Sequence, residues 1–206
     1  MSAPGQFILN KQVIPSELRS REWEAARVDY WRMERAFVMA GKVRFEDAQA
    51  CRNAAAALAN GKVSLIEARR AVREELERAG YRPTPGTAGT IKDIYTPRRL
   101  DVTLKTNVNM ARGYAEKNRL TGNAMYPASE LHRNRQSREP RDWQTRWNEA
   151  AASVNYEGVA RDGSFIALND SPIWAALSRW RTPYPPFDYG SGMWCRPVKW
   201  RVAEKN

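Results

Sequence analysis

The sequence predicts a mostly helical α+β chain: an N-terminal helical module, then a long helix with a small antiparallel sheet. Three observations carry this. Up to residue 80, apolar residues recur at helical spacing, with helix-start and helix-stop residues between the runs. Pro83, Pro85, Gly86 and Gly89 then crowd into one stretch. Beyond it, one long helical pattern gives way to short alternating runs bounded by Gly, Pro and Asp, and most of the tryptophans lie there. The organisation expected is an irregular arm at 1–15, a helical module at 16–80, a linker at 81–96 and an α+β domain at 97–206.

Each element has a local reason. Pro4, Gly5 and Pro15 argue against regular structure in the arm. Ser16 caps a long helix to about Met39, with Leu18, Ala25, Val28, Trp31 and Val38 as its apolar stripe and Gly41 at its exit. Ala54–Ala57 favour a second helix over about 45–59, which Gly61 stops. Ser64 and Glu67 form a capping box that opens a third helix to about Ala79, with Leu65, Ala68, Val72 and Leu76 on the core face. Thr96-Pro97 begins the long helix, whose stripe is Leu100, Leu104, Val108, Ala111 and Ala115, and Gly122 closes the region. A short strand is expected at Glu130–Arg135. Asp142 caps a helix carrying Trp143 and Trp147 one turn apart. Asp162-Gly163, between Glu157–Ala160 and Phe165–Leu168, reads as a hairpin turn. A final strand spans Trp194–Val202, with Trp194, Val198 and Trp200 on one face.

The 206 residues carry a net charge of +11, which favours acidic partners: nucleic acid, an acidic protein or an anionic surface. No apolar run approaches the roughly 20 residues of a membrane span. The first ten residues show no charged region followed by an apolar core, and Cys51 and Cys195 are too few for a disulfide framework. A soluble protein made in a cytoplasm, with no membrane partner, is expected.

Catalytic chemistry finds little support. His132 is the only histidine, and a triad needs a base beside its nucleophile. His132, Cys51 and Cys195 cannot close a zinc site without carboxylates. No phosphate-cradling glycine loop appears, since Gly190-Ser191-Gly192 is too short and follows prolines rather than a strand. No catalytic residue, metal ligand, cofactor or small-molecule substrate is therefore assigned, and an enzyme with an unrecognised carboxylate site is the weakest reading.

Two stretches remain. Ser171-Pro172-Ile173-Trp174 opens a short helix to about Trp180, and residues 182–194 follow, rich in Pro, Gly and aromatics. They read either as a rigid strap covering the core or as a docking surface of Trp174, Tyr184, Phe187 and Tyr189. Arg133, Arg135, Arg138 and Arg141, with Trp143 and Trp147 behind them, are the best nucleic-acid candidates; a solvated basic face or a contact for an acidic protein is the alternative.

The helix Arg98–Tyr114 resembles the central helix of the MuF-like bacteriophage minor head (head morphogenesis) proteins. The resemblance continues through Tyr126–Leu131, Arg138–Trp143 and the hairpin, and ends in Asp170–Trp174 and Tyr184–Met193. It covers roughly residues 90–200, and more weakly the N-terminal helices. Many family members end the loop in a His-Pro-x-Cys-Arg-Cys-like segment, where this chain has Phe187–Met193, so no metal or cysteine role carries over. The resemblance implies a non-enzymatic virion protein that binds portal or capsid protein and sits near packaged double-stranded DNA. It would act in head assembly, packaging or DNA delivery, first in the host bacterial cytoplasm and then in the virion head. The alternative is a basic nucleic-acid-binding module not tied to a virion.

Overall fold

The computed structural model describes residues 4–14, 34–39, 44–133, 141–156 and 164–199, and the chain divides into two units, Met1–Arg112 and Gly113–Asn206. The fold is mostly helical α+β with a small three-stranded antiparallel sheet.

In the first unit α1 (Pro4–Leu9) begins on proline, where the missing N–H costs nothing. β1 (Gln12–Ile14) pairs in parallel with β2 (Ala36–Val38), Val13 opposite Phe37. Two expectations change here. The arm holds a helix and a strand, and the helix expected to reach Met39 gives way to strand at Ala36. Ala36, Phe37 and Met39 are all buried, and Ala36–Val38 pair in register with Gln12–Ile14, which a helix cannot do. Residues 16–33, the rest of that expected helix, lie outside the described residues.

α2 (Phe45–Ala59) and α3 (Leu65–Arg78) follow as expected. Ala54, Ala55 and Ala56 are buried, and their small side chains let neighbouring helices approach. Gly5 meets the end of α2, donating its N–H to Asn60 Oδ1 at 3.0 Å; a Cβ there would overlap the Asn60 side chain. The Ser64–Glu67 capping box forms in full. Val72 and Leu76 of α3 join Ile8, Phe37, Leu100 and Leu104 in the core, each contributing about 1.5–3 kcal/mol.

Residues 81–96, expected as a linker, are fastened into this unit. Ile94 is in its core and Tyr81 packs against it. Asp93 is buried and accepts from Tyr81 Oη (3.2 Å), Gly89 N (2.9 Å) and Tyr95 N (2.9 Å). Its carboxylate fixes the loop that Pro and Gly punctuate.

α4 (Pro97–Leu120) belongs to the first unit through Arg112 and to the second from Gly113. The second unit continues with β3 (Ala128–Arg133), α5 (Trp143–Ser153), β4 (Phe165–Leu168), α6 (Ile173–Leu177) and β5 (Met193–Val198). The sheet order is β4-β3-β5, with Leu131 opposite both Phe165 and Cys195. Leu131, Phe165, Ala167, Met193 and Cys195 share the face that packs on the core of Trp143, Trp147, Ile173 and Trp174.

Strand positions shift from expectation. β3 starts two residues earlier than Glu130 and ends at Arg133 among the described residues; the last strand spans 193–198. Trp194 and Val198 do share a face, on which Val198 and its partner Ala128 are buried, while the Trp143–Trp147 core packs on the other; Trp200 lies outside the described residues. The described partner of β4 is β3, while Glu157–Ala160 and Asp162-Gly163 lie outside the described residues. α6 stops at Leu177 rather than near Trp180, because Ser178 turns extended. No helix among the described residues is long and apolar enough to cross a membrane.

Candidate functional site

The strap from Ser178 to Gly192 is built by the residues it covers. Ser178 Oγ and Thr182 Oγ1 bond at 3.1 Å, and Trp180 N donates to Ser178 Oγ, closing the corner after α6. The Pro185–Pro186 peptide is cis. The Pro185 carbonyl passes so close to α4 that a Cβ on Gly113 would overlap it, which explains a glycine in mid-helix. Phe187 adopts φ +61°, a region costly for an aromatic residue, and three contacts hold it there. Its ring stacks on Trp174 with centroids 5.9 Å apart, and its carbonyl accepts from Arg179 N and Arg146 Nη2.

The docking surface read from the sequence is corrected by this arrangement. Trp174, Tyr184 and Phe187 are 2%, 1% and 0% exposed. Trp174 donates from Nε1 to the Leu168 carbonyl and meets Trp147 edge-on, while Tyr184 meets Tyr114 edge-on. Bulky rings tethered by prolines bury more favourably than they sit in water, so the strap reading describes these three. Tyr189 alone is half-exposed, with its ring edge-on to Trp180 at 4.9 Å.

Asp188, next to Phe187, gathers the charge of this region. Its buried carboxylate receives Arg146 Nη1 at 2.9 Å, Arg179 Nη1 at 3.4 Å, Arg141 Nε at 3.6 Å and the Tyr189 N–H at 2.7 Å. Burial pushes the Asp188 carboxyl up, but the Arg146 hydrogen bond and the Arg141 charge outweigh it, and its pKa lies below the usual value. Arg146 is the structural spine: Nε donates to the Leu177 carbonyl at 3.0 Å and its guanidinium lies over Trp143. α5 holds it in place because Asp142 caps the helix, accepting from Thr145 N at 3.0 Å. Arg141 Nη2 donates to the Tyr189 carbonyl, and Arg179 lies over the Tyr189 ring.

Of the four arginines read from the sequence, Arg141 meets this loop, through Asp188, while Arg133 is exposed and pairs by its backbone with Met193 at the start of β5. Arg135 and Arg138 lie outside the described residues. Asp188, Arg146 and Arg179 carry no periodic or motif signal. One pattern would have found Asp188: it is the only acidic residue between Asp170 and Glu204, a stretch rich in arginine.

Burial pushes the Cys51 thiol up to about 12 and raises that of Cys195, so neither offers a thiolate near neutral pH. Cys195 lines a cavity of about 30 Å³ with Gly113, Ser129, Asn169 and Tyr184, room for a single water. Among the described residues no group of three or more His, Cys, Asp and Glu is placed to hold a metal ion. No protein-family model, curated protein or solved structure matches this chain.

Proposed function

We propose that the chain is a non-enzymatic bacteriophage minor head protein of the MuF-like kind, binding portal or capsid protein in head assembly, packaging or DNA delivery. It would work in the host bacterial cytoplasm during assembly and then in the virion head. One observation supports this best: the segments that carry the resemblance interlock by side-chain bonds within the second unit. Trp174 Nε1 donates to the Leu168 carbonyl at 2.8 Å, and the Trp174 ring stacks on Phe187. Arg141 reaches from the Arg138–Trp143 segment to Asp188 in the Tyr184–Met193 segment. Segments that resemble a family separately, in its order, thus depend on one another in the fold. With Trp174, Tyr184 and Phe187 in the core, docking falls to exposed residues.

The test is quantitative mass spectrometry of purified particles from the source phage or prophage, beside portal and major capsid protein. A fixed low ratio to portal is expected in mature particles; presence only in precursors would instead indicate a transient assembly factor. Absence from both would overturn the proposal. The second reading, a nucleic-acid-binding module independent of a particle, is favoured by the net charge and by the arginines around Asp188.

A further inference from the structure

We infer that the pocket between α3 and the start of α4 docks a segment of another protein that carries an acidic side chain beside an apolar one. Arg70 and Arg73 receive the acid, and Ile66 receives the apolar group. The pocket is open, about 460 Å³ in volume, and lies within the first unit. Ile66, Arg69, Arg70 and Arg73 line it from α3, at spacings of three and four that put them on one helix face. Tyr95 and Pro97 line it from the start of α4.

Arg73 sets this pocket apart. Its guanidinium lies over the Tyr95 ring, 4.1 Å from the centroid. The ring is held by its hydroxyl, which donates to Glu77, one turn beyond Arg73. Arg73 is thus positioned by an aromatic surface and not by a carboxylate. Its Nε is buried without a hydrogen-bond partner, and it forms no ion pair among the described residues. Arg69 differs, pairing with Asp101 of α4 at 3.4 Å. Arg70 meets Glu74 only at 3.7 Å, past hydrogen-bond length, with its side chain 73% exposed. A guanidinium stacked on a ring gives up little further freedom when a carboxylate arrives, and its fork suits that group. Ile66, 70% exposed and one turn before Arg70, adds an apolar surface about 6 Å along the helix.

Glu74 and Glu77 on the same wall decide what kind of acid fits. A nucleic-acid backbone brings phosphate after phosphate and would run into both carboxylates. A protein segment can place one acid on the arginines and neutral or basic residues beyond it. The pocket keeps this chemistry whether or not the chain enters a particle.

The experiment is fluorescence anisotropy of the full chain with a labelled helical peptide that carries Leu and Glu four residues apart in one half, and Ala and Lys in the other. The parent is expected to bind it at least about fivefold more tightly than a counterpart with Gln in place of Glu. Arg70→Gln/Arg73→Gln should lose at least about fivefold and bind the two peptides equally. Ile66→Ser should lose about tenfold through the apolar contact. Arg78→Gln/Arg82→Gln removes equal charge from the first unit and should leave affinity near the parent value. Should the Arg70/Arg73 variant unfold by circular dichroism, Arg70→Gln alone, at an exposed position, still tests the pocket, with an expected loss of about twofold. Four results overturn the inference: no peptide binding by the parent at up to about 1 mM; equal affinity of the parent for the Glu and Gln peptides; equal loss in the Arg78/Arg82 control; or a labelled DNA duplex bound more tightly than the peptide and released by the Arg70→Gln/Arg73→Gln change, which would assign the pocket to nucleic acid.

Discussion

Two buried aspartates organise two loops of this chain, by different means. Asp93, in the first unit, collects neutral donors: one tyrosine hydroxyl and two backbone N–H groups. Asp188, in the second, collects three guanidinium groups and one N–H. Neutral donors satisfy a carboxylate and leave the surface as it was. Guanidinium groups bring opposite charge to it, so this loop is ordered by ion pairs as well as by hydrogen bonds. The same side chain is thus a turn-former in one place and the centre of an ion-pair cluster in the other.

The comparison can be broken most severely at Phe187, whose ring is fully buried on Trp174 and whose carbonyl receives two of the donors that order the Asp188 loop. Phe187→Ala should cost about 3–5 kcal/mol in urea unfolding and disrupt the second unit. A variant as stable as the parent would show that the strap is not core. A smaller effect is expected at the neutral hub. Tyr81→Phe removes one donor from Asp93 and leaves two, so it should cost about 1 kcal/mol by the same measurement. A loss as large as that of Phe187→Ala would mean that the two loops are not built on different principles.

What was legible in the sequence was local. The Ser64–Glu67 box, the Asp142 cap and the stripe Leu100-Leu104-Val108-Ala111 follow from spacings of three or four residues, and the helices stand where those spacings put them. Ala36–Val38 was misread because its strand character depends on Gln12–Ile14, more than twenty residues earlier. Residues 81–96 look like a linker by their Pro and Gly, and only the burial of Asp93 makes them part of a unit. The aromatic strap was legible as a stiff segment, but composition does not tell a ring that faces a partner from one that faces its own core. The Asp188 cluster was least legible: Arg146 and Arg141 lie more than forty residues away along the chain, and no periodicity reports an ion pair closed by tertiary structure.

The most direct measurement is equilibrium urea unfolding of Asp188→Asn beside Asp93→Asn, at pH 7 and again near pH 3. Asp188 holds its proton more weakly folded than unfolded, so its contribution is present above the unfolded pKa and is lost as pH falls through the lower, folded one. Asp188→Asn should therefore cost about 2–3 kcal/mol at pH 7, since it removes the carboxylate that three guanidinium groups share, somewhat less than in a fully buried pair because they reach water. It should also remove part of the acid-induced loss seen in the parent. Asp93→Asn keeps one acceptor oxygen, for Tyr81 and Tyr95, loses the one that Gly89 N uses, and should cost about 1 kcal/mol. Equal costs for the two variants, or an Asp188→Asn protein with the parent's stability and acid sensitivity, would contradict the view that Asp188 is the charged anchor of the second unit.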